Sequence, residues 1–138
     1  MTDFKSLLAI IACSIMLFAC GGAKSPEDVA AEFITNVYDA KVDDAVSMLY
    51  LDEGKEADEK AMMSEKFKGM LPEKKKAIDE QAGGVKDIQA SEAKLNDKKD
   101  TATVDVTVTF NKEFNGSTTK VETVKLIKVK DTWKVSVL

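Results

Sequence analysis

The spacing of apolar residues changes character twice along the chain. From Leu7 to Ala19 only Ser14 is polar; from Val29 to Ala82 apolar residues recur every three or four positions; beyond Val85 they tend to alternate. The middle pattern predicts helices. Ser25-Pro26-Glu27-Asp28 reads as a helix start, with Ser as N-cap, Pro at the first helical position and acids over the positive end of the dipole. Val29, Ala30, Phe33, Ile34 and Val37 then share one face to about Ala40. Val42, Ala45, Val46 and Leu49 repeat the spacing, predicting a short second helix to about Tyr50. Leu51–Lys55 reads as a loop. Glu56–Met70 is a predicted third helix with Met63, Phe67 and Met70 as its stripe. Pro72 restarts a fourth carrying Ala77, Ile78 and Ala82, which Gly83-Gly84 terminates.

After Val85 the period becomes two. Val85–Leu95 alternates poorly, which predicts a bulged or edge strand. Thr101–Phe110 is the clearest strand, with Ala102, Val104, Val106, Val108 and Phe110 on one face and Thr and Asp residues on the other. Asn115-Gly116 signals a hairpin. Thr119–Lys130 returns, and Val124–Val129 cannot keep an apolar parity, which suggests a second bulge. Lys130-Asp131-Thr132 turns into a last strand over Trp133–Val137. Helices followed by a meander of three or four antiparallel strands make an α+β fold, with the helices on the concave face of a curved sheet.

The first apolar run is an address. Thirteen residues suit a signal-peptide core and are too few to cross a bilayer interior of roughly 30 Å as a helix. Leu17-Phe18-Ala19-Cys20-Gly21 resembles the bacterial lipobox, in which the Cys thiol is lipidated and the peptide is cut before it. Phe18 departs from the small or branched residue usual there. Ile10-Ile11-Ala12-Cys13 fits the pattern locally, but cleavage there leaves an apolar tail, whereas Cys20 leads into a Gly-Gly-Ala-Lys-Ser linker. An ordinary secretory signal cut near Ala19 or Ala23 is the other alternative. The expected organisation is a signal peptide over residues 1–19, a lipidated Cys20 and tether over 20–24, and one domain over 25–138. The tether would hold that domain within about 15–20 Å of the membrane. Gly21, rather than Asp, resembles the pattern exported to the outer membrane of Gram-negative cells; in a Gram-positive cell the anchor would sit on the outer face of the plasma membrane.

Composition then narrows the chemistry. All twenty cations are Lys, and the chain has no His and no Arg. The commonest general base and metal ligand at neutral pH are therefore missing, as are bidentate anion clamps. A Ser/His/Asp triad, a Cys/His dyad and a Cys/His zinc site are excluded. Both cysteines lie in the address segment, so the domain has no disulfide and must hold itself by burial. A net charge of −4 without a basic face argues against nucleic acid.

Few side chains offer chemistry. Tyr38, Asp39 and Tyr50 fall at predicted helix ends that could overlook the sheet; core-edge packing and helix termination account for them as well. Asp43-Asp44, Asp52-Glu53 and Asp58-Glu59 lack the spacing of a calcium loop, because Gly54 is misplaced for it. They read as solvated acids, and no metal or cofactor is expected. Lys74-Lys75-Lys76 could touch anionic headgroups, and Met48, Met62, Met63 and Met70 could form an adaptable apolar surface. Solvated and core positions are the simpler readings.

Ser25-Pro26-Glu27-Asp28, Asp43-Asp44-Ala45, Asp100-Thr101-Ala102-Thr103-Val104, Asn115-Gly116, and Lys125-Leu126 ahead of Trp133-Lys134-Val135 together resemble small bacterial lipoproteins with an uncharacterised, lumazine-binding-like domain. That family is similar to the cystatin-like cone of nuclear transport factor two and the SnoaL cyclases. The resemblance covers about residues 25–138 and implies helices packed into a curved sheet, sometimes around a pocket, but no reaction. The expectation is a non-enzymatic, lipid-anchored envelope module for a small apolar ligand or a protein partner. The alternatives are a carboxylate/Tyr dehydratase or isomerase, which needs an acid inside a pocket beside a Tyr, and a structural or assembly accessory of the envelope.

Overall fold

The structure, a computed structural model, describes residues 24–137. The address segment, with Cys13 and Cys20, lies outside the described residues. Three helices precede five strands: α1 (Pro26–Tyr38), α2 (Val42–Ser47), α3 (Glu56–Ala82), β1 (Val85–Ala90), β2 (Lys94–Leu95), β3 (Thr101–Phe114), β4 (Ser117–Val129) and β5 (Thr132–Ser136).

Helix α1 begins as its sequence dictates. The Ser25 hydroxyl accepts from the Asp28 N–H at 3.1 Å, and Glu27 and Asp28 occupy the first turn. Glu27 also accepts from the Ala93 N–H at 2.9 Å, tying the helix start to the chain between β1 and β2. Helix α2 is shorter than its apolar repeat suggested. Beyond Ser47 the chain becomes extended, and Tyr50 N–H and Val135 N–H bond the carbonyls of Val135 and Met48 at 2.7 and 2.8 Å. This parallel bridge covers the open edge of β5 and satisfies part of its backbone.

Helix α3 is one 27-residue helix, where the sequence predicted two separated at Pro72. Proline inside a helix costs roughly 3 kcal/mol, because it removes a hydrogen bond and crowds the preceding turn. Packing on both sides overrides that cost: Phe67 and Leu71 before the proline, and Ile78 and Ala82 after it, are all buried in the same core. The stripe runs Met63, Phe67, Leu71, Ile78, Ala82, so Leu71, rather than the 46% exposed Met70, is the inward residue. Gly83 ends the helix at a left-handed φ of 70°. The Asn111 side chain donates to its carbonyl at 2.7 Å, fastening the helix end to β3.

The sheet is antiparallel in the order β1-β3-β4-β5, with the two-residue β2 also paired to β3. The predicted inner row of β3 is buried at every position from Ala102 to Phe110. It meets β4 through Val104↔Val124 and Ala102↔Leu126, and Leu126 meets Val135 of β5. The bulge anticipated in β1 lies between Val85 and Asp87. The one anticipated near Val124–Val129 is absent: pairing with both neighbours is continuous there. Parity is kept because Lys128 belongs to the inner row at its outer end, with its ammonium 5.8 Å from the centre of the Trp133 ring. The irregularity falls instead between Thr109 and Phe114, next to the Asn115-Gly116 turn, whose φ values of 53° and 87° suit a tight hairpin.

Candidate functional site

Helices α1 and α3 do not close completely over β4 and β5. They leave a half-open cleft of about 510 Å³, within the range of small-molecule sites (roughly 300–1,000 Å³). Its walls are mostly apolar, with Phe33, Ile34 and Val37 from α1, Phe67 and Leu71 from α3, and Val135 from β5. A second groove of about 760 Å³ lies between the segment after α2 and the β4–β5 turn, with Lys60, Lys130 and Lys134 among its walls. Only the first also carries a connected polar cluster with shifted ionisation.

That cluster is built around Glu122. Pairing with Val106 puts Glu122 on the inner row of β4, in step with Val124 and Leu126. The hydroxyl of the buried Tyr38, on the last turn of α1, donates to Glu122 Oε1 at 2.7 Å. Lys120 Nζ approaches the same oxygen at 3.1 Å. Lys74 Nζ, from α3, stands 3.8 Å from it and 4.5 Å from the centre of the Tyr38 ring. Three elements thus converge on one carboxylate at the rim of an apolar cleft.

The electrostatics follow from these contacts. Burial by itself would raise the Glu122 pKa; the hydrogen bonds from Tyr38 and Lys120 and the charges of Lys120 and Lys74 outweigh it and hold the group below its ordinary 4.5. Tyr38 is pushed well above its ordinary 10.0, first by burial and then by the Glu122 carboxylate it bonds. Burial lowers the Lys74 pKa, with the nearby Lys120 charge adding to the effect and Glu122 opposing it. At neutral pH the cluster is an ionised carboxylate, a neutral phenol and two ammonium groups.

The residues singled out in the sequence are dispersed. Tyr38 enters the cleft. Asp39 is exposed and caps the end of α1, its own N–H bonded to the Thr35 carbonyl at 2.9 Å. Tyr50 is half-buried and lines the second groove. Asp52 and Gly54 N–H groups are accepted by Glu59 and Glu56, so those acids organise the loop before α3. Among the described residues, no group of three or more His, Cys, Asp or Glu gathers as a metal-ligand set. No helix among them is long and apolar enough to cross a membrane. Of the three consecutive lysines, Lys74 joins the cleft and Lys75 pairs with Asp79 at 2.7 Å. Met48 and Met63 pack on the core, and Met62 is 62% exposed. Glu122 escaped notice in the sequence, although alternation back from Leu126 and Val124 places it inside.

A family model described as a domain of unknown function, DUF4878, matches residues 18–136. No curated protein matches the chain. A crystal structure from Campylobacter jejuni, provisionally described as an NTF2-like transpeptidase, is similar at 31% identity and a TM-score of 0.68, over 83% of this chain and 100% of that one. The helices-then-sheet order, the curved antiparallel sheet and the cleft at the open side agree with that relationship. The chain belongs to the DUF4878 family, on the cone fold of the nuclear-transport-factor-two-like superfamily.

Proposed function

We propose that this protein is a lipid-anchored module of the bacterial cell envelope that holds a small apolar ligand in the α1–α3–β4–β5 cleft and catalyses no reaction on it. The carrying observation is the cleft itself: about 510 Å³ of mostly apolar wall with a single ionised cluster at its rim. The anchor would be Cys20, whose lipobox-like context supports lipidation, and Gly21 supports outer-membrane sorting if the cell is Gram-negative.

Glu122 beside Tyr38 supplies the acid-and-phenol pair that a dehydratase or isomerase would need. Its tuning runs the other way. A general base is effective when its pKa lies near working pH, and a phenolic acid when its pKa falls toward it. Here the carboxylate is made a weaker base and the phenol a weaker acid, each satisfied by the other. The transpeptidase description of the Campylobacter protein needs an activated nucleophile. In this cleft Ser136 and Thr123 alternate with the inward Val135 and Val124, and the Thr123 hydroxyl bonds Asp105 at 2.8 Å on the exposed side. Binding is the role these groups support.

The test is a titration of the purified chain with a neutral apolar fluorophore, N-phenyl-1-naphthylamine. Saturable one-to-one binding is expected. Val37→Trp, which fills the cleft from α1, should weaken it more than about tenfold, the scale of losing 1.4 kcal/mol, and Val37→Ala should retain it. Absence of saturable binding in the unaltered protein overturns the ligand reading and leaves partner binding. Palmitate labelling tests the anchor: label lost in Cys20→Ser supports it, and label surviving there but lost in Cys13→Ser moves the site.

A further inference from the structure

We propose that the cleft's ligand is a single-chain anionic amphiphile, with its head against Lys74 and Lys120 and its hydrocarbon tail between α1, α3 and β5. This rests on the reading of the cleft as a ligand site and adds the chemistry of what enters it.

The first argument is charge. Glu122 is the only acid among the residues lining the cleft, and it is shared by Lys120 at 3.1 Å, Lys74 at 3.8 Å and the Tyr38 hydroxyl at 2.7 Å. One carboxylate between two ammonium groups leaves one positive charge without a counter-charge. Lys125 also lines the cleft and adds to the excess. In a chain whose net charge is −4, this is a local reversal of sign.

The second argument is the position of Lys74. At 3.8 Å from Glu122 its ammonium is close enough for an ion pair and too far for a hydrogen bond. Its nitrogen sits above the face of the Tyr38 ring, which fixes a half-buried point charge where apolar wall meets solvent. A partly desolvated cation that lacks a hydrogen-bonded partner gains more from an incoming anion than an exposed one does. Burial already depresses its pKa, in keeping with charge that is incompletely compensated.

The third argument is shape. Beyond the cluster the cleft continues over Phe33, Ile34, Phe67, Leu71 and Val135, side chains with no polar atoms. A neutral apolar molecule would leave the excess charge unanswered. A small hydrophilic anion would leave the apolar wall wet. An amphiphile with a carboxylate or phosphate head answers both.

The probes are twelve-carbon chains that differ only in the head: laurate, dodecyl phosphate, dodecanol and dodecyltrimethylammonium. Each displaces N-phenyl-1-naphthylamine below its micellar concentration. The anions should displace about tenfold more tightly than dodecanol, as expected for a charge-assisted hydrogen bond, with the cation weakest. The ratio of laurate to dodecyl phosphate separates a fatty acid from a phosphate-headed lipid. Shortening laurate by two methylenes should cost about sixteenfold, at about fourfold per methylene. Lys74→Met should bring laurate level with dodecanol. Glu122→Gln, which removes the competing carboxylate, should widen the gap, an outcome that poor folding would not produce. Equal affinity for laurate and dodecanol overturns the anionic head and leaves the apolar site standing. An anion preference unchanged in Lys74→Met overturns the assigned head position. Failure of the fluorophore to bind overturns both this inference and the reading beneath it.

Discussion

Replacing Leu71 with alanine is expected to lower the free energy of unfolding by about 2–5 kcal/mol, the range for a buried leucine truncated in a core that relaxes only partly. Leu71 is 1% exposed and directly precedes Pro72, a position that ordinarily disfavours helical backbone. Its burial between α1 and the sheet helps keep α3 continuous, so the substitution removes both core volume and part of what opposes the proline. Met70→Ala, one residue earlier and 46% exposed, should change stability by no more than about 0.5 kcal/mol. Urea unfolding of the pair decides the matter. If both changes are equally mild, Leu71 is not a core residue and the helix breaks at Pro72, as the bare sequence suggested.

Glu122→Ala is expected to cost about 1–3 kcal/mol at neutral pH. It leaves the buried Tyr38 hydroxyl without its acceptor and two ammonium groups without their shared anion. The pH dependence carries a definite sign. The folded-state pKa of Glu122 lies below its ordinary 4.5, so its stabilising contribution is complete above about pH 4.5 and is lost as pH falls through the lower folded value. The stability gap between the unaltered protein and Glu122→Gln should therefore be present at pH 7 and close in strong acid. Tyr38 acts at the other end: its folded pKa is raised, so its contribution is complete below its ordinary 10.0 and is lost as pH rises beyond it. Tyr38→Phe should remove that alkaline loss. A Glu122→Gln gap that does not vary with pH would contradict the coupling of these groups.

The cone was legible because its largest apolar patterns are local. The alternation of Ala102–Phe110 and the face of Val29–Val37 survive in the structure, with the Ser25 cap and the Asn115-Gly116 turn at their ends. Pro72 misled because a local rule for breaking helices met a long-range burial of Leu71 and Ile78 that sequence spacing does not reveal. Lys128 misled in the same way, as a charged residue on an inner row whose ammonium reaches past Trp133 to solvent. The candidate site was the least legible part. Tyr38, Lys74 and Glu122 lie 36 and 48 residues apart along the chain and meet only when α1, α3 and β4 pack. Tyr38 drew attention as one of two tyrosines; Glu122 was one acid among twenty-four, and its inward parity was obscured by the apparent irregularity of its strand. Cys20 is the converse case, a residue whose proposed role is written wholly in local sequence.

The central claim, that the cleft between α1, α3, β4 and β5 is a ligand site with Glu122 and Lys74 at its rim, is tested most directly by amide chemical-shift mapping during a laurate titration. Saturable shifts should cluster at residues 33–38, 67–74, 122–125 and 135–137, which line the cleft. Shifts confined to the second groove around Lys60 and Lys130, or none at all up to the micellar limit, would contradict it.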